Sequence, residues 1–162
     1  MAALKLLLDD TFEYDFALIA IHCSLEDYRI AFMLNKYAGL RLKCAKDVNY
    51  YTKNDTYSFP TLQYDDVKNY VYYTLISNKN KFKDFSRVLN NDLFAESAGE
   101  HFKTFNLVPE VKNADYLLKI ESDSGKVNVQ TLVNQLNQIS QIITAYDVNV
   151  SSLKSKQNLI FE

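Results

Sequence analysis

The sequence predicts an α+β fold: a mixed or mostly antiparallel sheet with two helices packed on one face. Two observations carry that expectation. Two segments at helical spacing each sit between strand-like runs, and between these two units lies a tyrosine-rich pair of runs that reads as an antiparallel hairpin. The strand-helix-strand order at each end of the chain suggests a β-α-β pseudo-repeat, although no residue-level repeat is visible.

Residues 16–21, Phe-Ala-Leu-Ile-Ala-Ile, are continuously apolar and bounded by polar residues, the pattern of a central strand covered on both faces. Ser24 offers an oxygen to the free amides of a helix start, Asp27 stands three residues on as in a capping box, and Gly39 can take the left-handed stop conformation. These signals predict a helix over 25–38 with Leu25, Tyr28, Ala31, Phe32 and Leu34 as its apolar stripe. Alternation over 40–44 predicts a half-buried strand.

Seven of the 12 tyrosines fall between positions 50 and 73. Tyrosine favours pleated surfaces, so 57–64 and 69–76 read as the hairpin, with Asp65-Asp66 at its turn. Asn78-Lys79-Asn80-Lys81 reads as a polar turn, and 82–105 show no clean period. Alternation returns at 115–121, with Tyr116, Leu118 and Ile120 facing one way, and Ser122-Asp123-Ser124-Gly125 ends that strand. The clearest amphipathic segment follows, with Asn128 as cap, Val127 and Leu132 as a hydrophobic staple, and Val129, Leu132, Val133, Leu136, Ile139 and Ile143 at helical spacing. Tyr146, Val148 and Val150 alternate as another strand, and Leu159-Ile160-Phe161 suggests a short last one.

With 162 residues, 48% hydrophobic and 23% charged, the chain fits one domain, 1–162, able to bury a core without disulfide, metal or partner. The net charge of -2 supplies no overall positive field for a phosphate backbone, which points away from nucleic acid. The N-terminal apolar run breaks at Asp9-Asp10 and no later run approaches the ~20 residues of a membrane span. A cytoplasmic protein with free thiols at Cys23 and Cys44 and no membrane contact is the expectation.

The segment Val108-Pro109-Glu110-Val111-Lys112-Asn113-Ala114-Asp115-Tyr116 resembles the signature of the IPExxxVDY family, small proteins of Bacteroidota-type bacteria. Val108 stands for the family's Ile and Ala114 for its Val. Glu26-Asp27-Tyr28-Arg29-Ile30-Ala31-Phe32-Met33-Leu34-Asn35, followed by Gly39-Leu40, resembles that family's N-terminal helix, so the resemblance spans most of the chain. It implies no activity, substrate or cofactor.

The signature has a physical reading of its own. Pro109 at a first helical position followed by Glu110 favours one helical turn with a carboxylate at its positive end, Asn113 can close the turn, and Asp115 can bond backbone amides as the chain enters the strand that begins near Tyr116. That makes Pro109, Glu110, Asp115 and Tyr116 a structural corner. The functional alternative pairs Glu110 and Asp115 as acid and base, which needs their environments to push their pKa values apart.

Other chemistry is sparse. His22, Cys23 and Cys44 at strand ends could converge as a soft metal site, but the paired ligand spacing of structural zinc is absent, and His101 stands in unassigned sequence. Buried small hydrophobes are the plainer reading, and neither a metal nor a cofactor is assigned. A Cys-His nucleophile is disfavoured because adjacent strand residues point to opposite faces. Gly39, Gly99 and Gly125 are too dispersed for a phosphate loop. Lys79, Lys81, Lys83 and Arg87, interleaved with Phe82 and Phe85, form the one basic-aromatic cluster, diluted by Asp84 and Asp92.

Two features point to protein partners or self-association. Tyr64, Tyr70, Tyr72 and Tyr73 on the hairpin supply contact area with a polar tip, and the second helix carries Gln130, Asn134 and Gln138 on a face without a single charge from Val127 to Tyr146. The leading expectation is a non-enzymatic binding or assembly module, probed by sedimentation and pull-down. Its rival is a small hydrolase or ligand-binding protein with a pocket containing Glu110, Asp115 and Tyr116.

Overall fold

A computed structural model describes residues 15–53, 55–83, 102–125 and 127–161. Strand β1 (Phe16–Cys23) leads into α1 (Asp27–Tyr37), followed by β2 (Lys43–Cys44), β3 (Val48–Tyr51), β4 (Thr56–Phe59), β5 (Thr61–Asp66), β6 (Val71–Ser77), β7 (Lys79–Lys83) and β8 (Phe102–Asn106). A short 3₁₀ turn at Pro109–Val111 precedes β9 (Tyr116–Ser122), α2 (Val129–Asn137) and β10 (Ile142–Val148), and further 3₁₀ turns at Val150–Ser152 and Lys156–Leu159 end the chain.

Six strands form the main sheet in the order β10-β1-β9-β6-β5-β2, every neighbour antiparallel. The α+β class with two helices on one face therefore holds. Ile30, Ala31 and Leu34 of α1 and Leu132, Val133 and Leu136 of α2 share one apolar cluster with Ile19, Ile21, Leu118 and Ile120 of the sheet. The opposite face packs Leu18, Ala20, Leu117 and Ile76 against Phe59, Leu107, Val108, Leu153 and Leu159. Leu18, Ile19, Ala20 and Ile21 are fully buried because β1 has a strand on each side and a core on each face.

Alternating antiparallel neighbours make β1 and β2 run the same way, and likewise β9 and β10. The chain thus contains two β-α-β crossovers of unequal span: β9-α2-β10 steps over β1 alone, whereas β1-α1-β2 carries the chain to the far edge. They share one device. Near the end of each helix an asparagine carboxamide takes both backbone groups of a residue further on. Asn35 bonds the Leu42 N–H at 2.8 Å and its carbonyl at 3.1 Å, and Asn137 bonds the Ala145 N–H and carbonyl at 2.8 Å each.

Several local expectations change. Ser24 does not cap α1, since Glu26 is its first half-helical residue and makes no side-chain cap; the carbonyl of the intervening Leu25 accepts the Tyr116 hydroxyl at 2.7 Å. Gly39 does take the left-handed conformation, φ +69°. The hairpin turn lies at residues 67–70, with Tyr70 at φ 55°, because Asp65 and Asp66 still pair with Tyr72 and Val71. Pro60 separates β4 from β5, and β4 pairs instead with β3, folding Phe59 over the second face.

Asn78 is fully buried where a polar turn is expected, and Lys79–Lys83 is a strand paired with β8. Asn128 caps α2 by accepting the Thr131 N–H at 3.0 Å, as its position implies. That helix ends earlier than the apolar spacing suggests, and β10 starts at Ile142, with Ile143 as an extra, exposed residue opposite the His22–Cys23 step. Residues 159–161 contribute part of a 3₁₀ turn and no strand.

Candidate functional site: the signature corner and the outer face of α1

The signature segment wraps around Asn78. This buried carboxamide donates to the carbonyls of Val111 and Ala114 at 3.0 Å and accepts the Val108 N–H at 2.8 Å. Its backbone carbonyl accepts the Leu107 N–H, and its own N–H donates to the Asp115 carbonyl, both at 2.8 Å. Every polar group of Asn78 thus meets residues 107–115, and the bend is set by one side chain at the β6–β7 junction. Nothing in a linear pattern distinguishes this residue from the polar turn around it.

Pro109 opens the 3₁₀ turn, where its missing N–H costs nothing. Glu110 reaches the C-terminal segment: one carboxylate oxygen accepts the N–H of Lys154 at 2.6 Å and of Ser155 at 2.8 Å, and the other accepts the Ser155 hydroxyl at 2.6 Å. Burial is the largest single influence on the Glu110 pKa and raises it, but the donors together outweigh it and hold the group below the usual carboxylate range.

Asp115 meets a different set. Its Oδ2 accepts the Cys23 N–H at 3.1 Å and lies 2.5 Å from His22 Nδ1, while Oδ1 accepts from Lys79 Nζ at 2.9 Å. Burial again raises the pKa, and the bonds from Lys79, His22 and Cys23 lower it further than burial lifts it. Tyr116 donates its hydroxyl to Leu25, and burial pushes that phenol well up. The carboxylates of Glu110 and Asp115 are therefore engaged by separate sets of donors, and both are shifted the same way. Divided acid-base roles call for opposite shifts.

The His22–Asp115 contact has the form of a base and its orienting carboxylate, which a nucleophile would have to complete. Among the described residues, no serine, threonine or cysteine side chain is hydrogen-bonded to His22. Cys23 is buried, and burial raises its thiol pKa, the reverse of an activated nucleophile. Cys44 does not converge with this pair: it lies exposed on β2, four strand positions from β1, about 19 Å away at the usual strand spacing. Of the basic-aromatic cluster, Lys79 is committed to Asp115 and Phe82 packs edge-on to Tyr57, whereas Phe85, Arg87 and His101 lie outside the described residues.

The hairpin tyrosines do not share a face. Tyr64 and Tyr73 stack at 5.8 Å and pack against the helix-side core. Tyr72 neighbours Asp65 and Glu121, with Tyr70 at the exposed tip. Gln130, Asn134 and Gln138 are exposed along α2, where Gln130 donates to Asn134 at 3.2 Å.

The least expected surface is on α1. Tyr28 and Phe32, expected in its buried stripe, are 62% and 60% exposed, and Ile30 takes the core position instead. Phe32 points away from Ile30 and Leu34 around the helix, with Tyr28 one turn before it on the same side. Together with Leu25, Arg29, Met33 and Gln141 they line a cleft of about 620 Å³. A second cleft, about 480 Å³, lies between the C-terminal end of α1, the β5–β6 turn and the start of α2, and includes Asp66, Lys68, Asn128 and Gln135. Neither cleft is lined by Glu110, Asp115 or Tyr116.

No family model, curated protein or solved structure matches this chain. Functional interpretation thus rests on its own geometry. The signal that finds the α1 surface in sequence is a surplus: its apolar residues outnumber what one face of an 11-residue helix can bury.

Proposed function

We propose that this chain is a non-enzymatic binding or assembly module that acts through protein–protein contacts, with the outer face of α1 as its docking surface. The observation that carries this reading is the pair Tyr28 and Phe32, more than half exposed beside an apolar cleft. Aromatic side chains are enriched at protein interfaces, and contiguous apolar surface beside a cleft is where such contacts form. Bacterial cytoplasmic location and membership of the IPExxxVDY family belong to the same proposal, supported by the free thiols and by the signature residues 108–116.

The rival reading, a hydrolase or ligand pocket at Glu110, Asp115 and Tyr116, has less support. All three side chains are spent on holding backbone segments or neighbouring cations. Phe32→Glu tests the leading reading. The variant is expected to keep the wild-type melting temperature, as an outward-facing position should, while losing whatever self-association or specific protein capture the wild type shows. Wild type and Phe32→Glu that behave alike in both sedimentation and capture would remove the α1 face from consideration.

A further inference from the structure

We infer that the occupant of the α1 face is a second copy of this chain, packed with the two α1 helices antiparallel about a two-fold axis near Phe32. The argument is charge and spacing along one stripe. Phe32 lies four residues from both Tyr28 and Lys36, so a two-fold axis at Phe32 sets Tyr28 of each copy opposite Lys36 of the other.

The ends of the helix are complementary under that operation. Glu26 and Asp27 make the N-terminal end acidic, and Lys36, 5.1 Å from the Tyr37 ring, makes the C-terminal end basic. Antiparallel packing brings each acidic end against a basic one and opposes the two helix dipoles; parallel packing would set like ends together. A lysine ammonium arriving over Tyr28 also gains the attraction of the ring face.

Size sets the strength. Tyr28 and Phe32 expose roughly 250 Å² of ring surface between them, against the roughly 800 Å² per partner of a standard interface. Leu25, Met33 and Arg29 around the cleft enlarge the patch without closing that gap. The dimer is therefore weak, concentration-dependent and sensitive to salt.

The test is sedimentation velocity of the full chain from micromolar to millimolar concentration, at low and high salt. Monomer–dimer exchange is expected, weaker in salt and lost in Phe32→Glu. Glu26→Lys and Lys36→Glu should each weaken dimerisation about three- to tenfold, since a two-fold interface uses every pair twice. The double variant Glu26→Lys/Lys36→Glu should restore it to near the wild-type value. Wild type that stays monomeric throughout overturns the second copy, and a dimer indifferent to the charge changes overturns the antiparallel packing. This inference rests on the α1 face being a docking surface. Monomeric wild type that retains a protein lost by Phe32→Glu overturns only the second copy, whereas identical behaviour of the two chains in both assays overturns the surface as well.

Discussion

Asn78 and Glu110 show how much of this fold hangs on single polar side chains. Removing the Asn78 carboxamide takes the side-chain partner from the Val108 N–H and the Ala114 carbonyl, whereas the Val111 carbonyl keeps the Ala114 N–H at 2.9 Å. Asn78→Ala is expected to cost about 3–5 kcal/mol, read from denaturant midpoints, because each orphaned buried group costs about 1–3 kcal/mol. Glu110 is more exposed and its bonds are screened by water, so Glu110→Gln should cost only about 1 kcal/mol at neutral pH. Its pH signature is more telling. Glu110 and Asp115 both titrate lower in the folded chain than in the unfolded one. Between those two values the unfolded chain holds more protons, so stability rises with pH. The contribution is complete above the unfolded values of about 4 and disappears as pH falls through the folded ones. Glu110→Gln should therefore flatten the stability profile below about pH 5 in acid titrations followed by circular dichroism, with Asp115 supplying the slope that remains.

At the scale of elements, β10 stands at one edge of the six-stranded sheet among the described residues. An edge strand offers unpaired backbone groups to any other chain, and this one ends the sheet without proline or lysine. Asn137 answers by presenting its amide to Ala145 as a neighbouring strand would, and the extra residue Ile143 breaks the flat edge beside it. Asn137→Leu should lower stability by about 1–2 kcal/mol and free the edge. In a Phe32→Glu background, which keeps α1 out of the measurement, the substitution is expected to produce strand-mediated oligomers on size-exclusion chromatography. A variant that remains monomeric would show that Ile143 and the short free edge suffice. Asn35 plays the same part towards Leu42 behind α1, so the two β-α-β units resemble each other in a contact although their sequences do not repeat.

Over the whole molecule, the second face of the sheet depends on the C-terminal tail. Leu153 and Leu159 are buried there, Asn158 donates to the Leu107 carbonyl at 2.8 Å, and Phe161 lies 5.1 Å from the ammonium of Lys119. Lys119 is itself 5% exposed and paired with Glu121 at 2.8 Å, with Phe16 closing the other side at 4.8 Å. Deleting residues 153–162 removes both leucines, bares the apolar face they cover and takes Phe161 from beside the buried Lys119. Increased binding of a hydrophobic dye and a broadened thermal transition are expected, because losing two buried leucines alone forfeits about 3–6 kcal/mol of burial. Unchanged dye binding would mean that the hairpins β3–β4 and β7–β8 cover the face without the tail.

Periodicity alone determined the class of this protein, its two helices, the doubly buried β1 and the alternation of β9, because each is a property of neighbouring residues that local sterics and solvent impose. The Asn128 cap and the Gly39 stop were legible for the same reason. Tertiary structure alone decided which of two apolar stripes on α1 faces the core, that Asn78 is a hub, and that Glu110 and Asp115 hold different segments. Those outcomes depend on partners far away in the chain: 33 residues from Asn78 to Val111, 45 from Glu110 to Ser155 and 93 from His22 to Asp115. A linear pattern records what a side chain prefers, whereas the bond it makes is set by what the folded sheet places beside it.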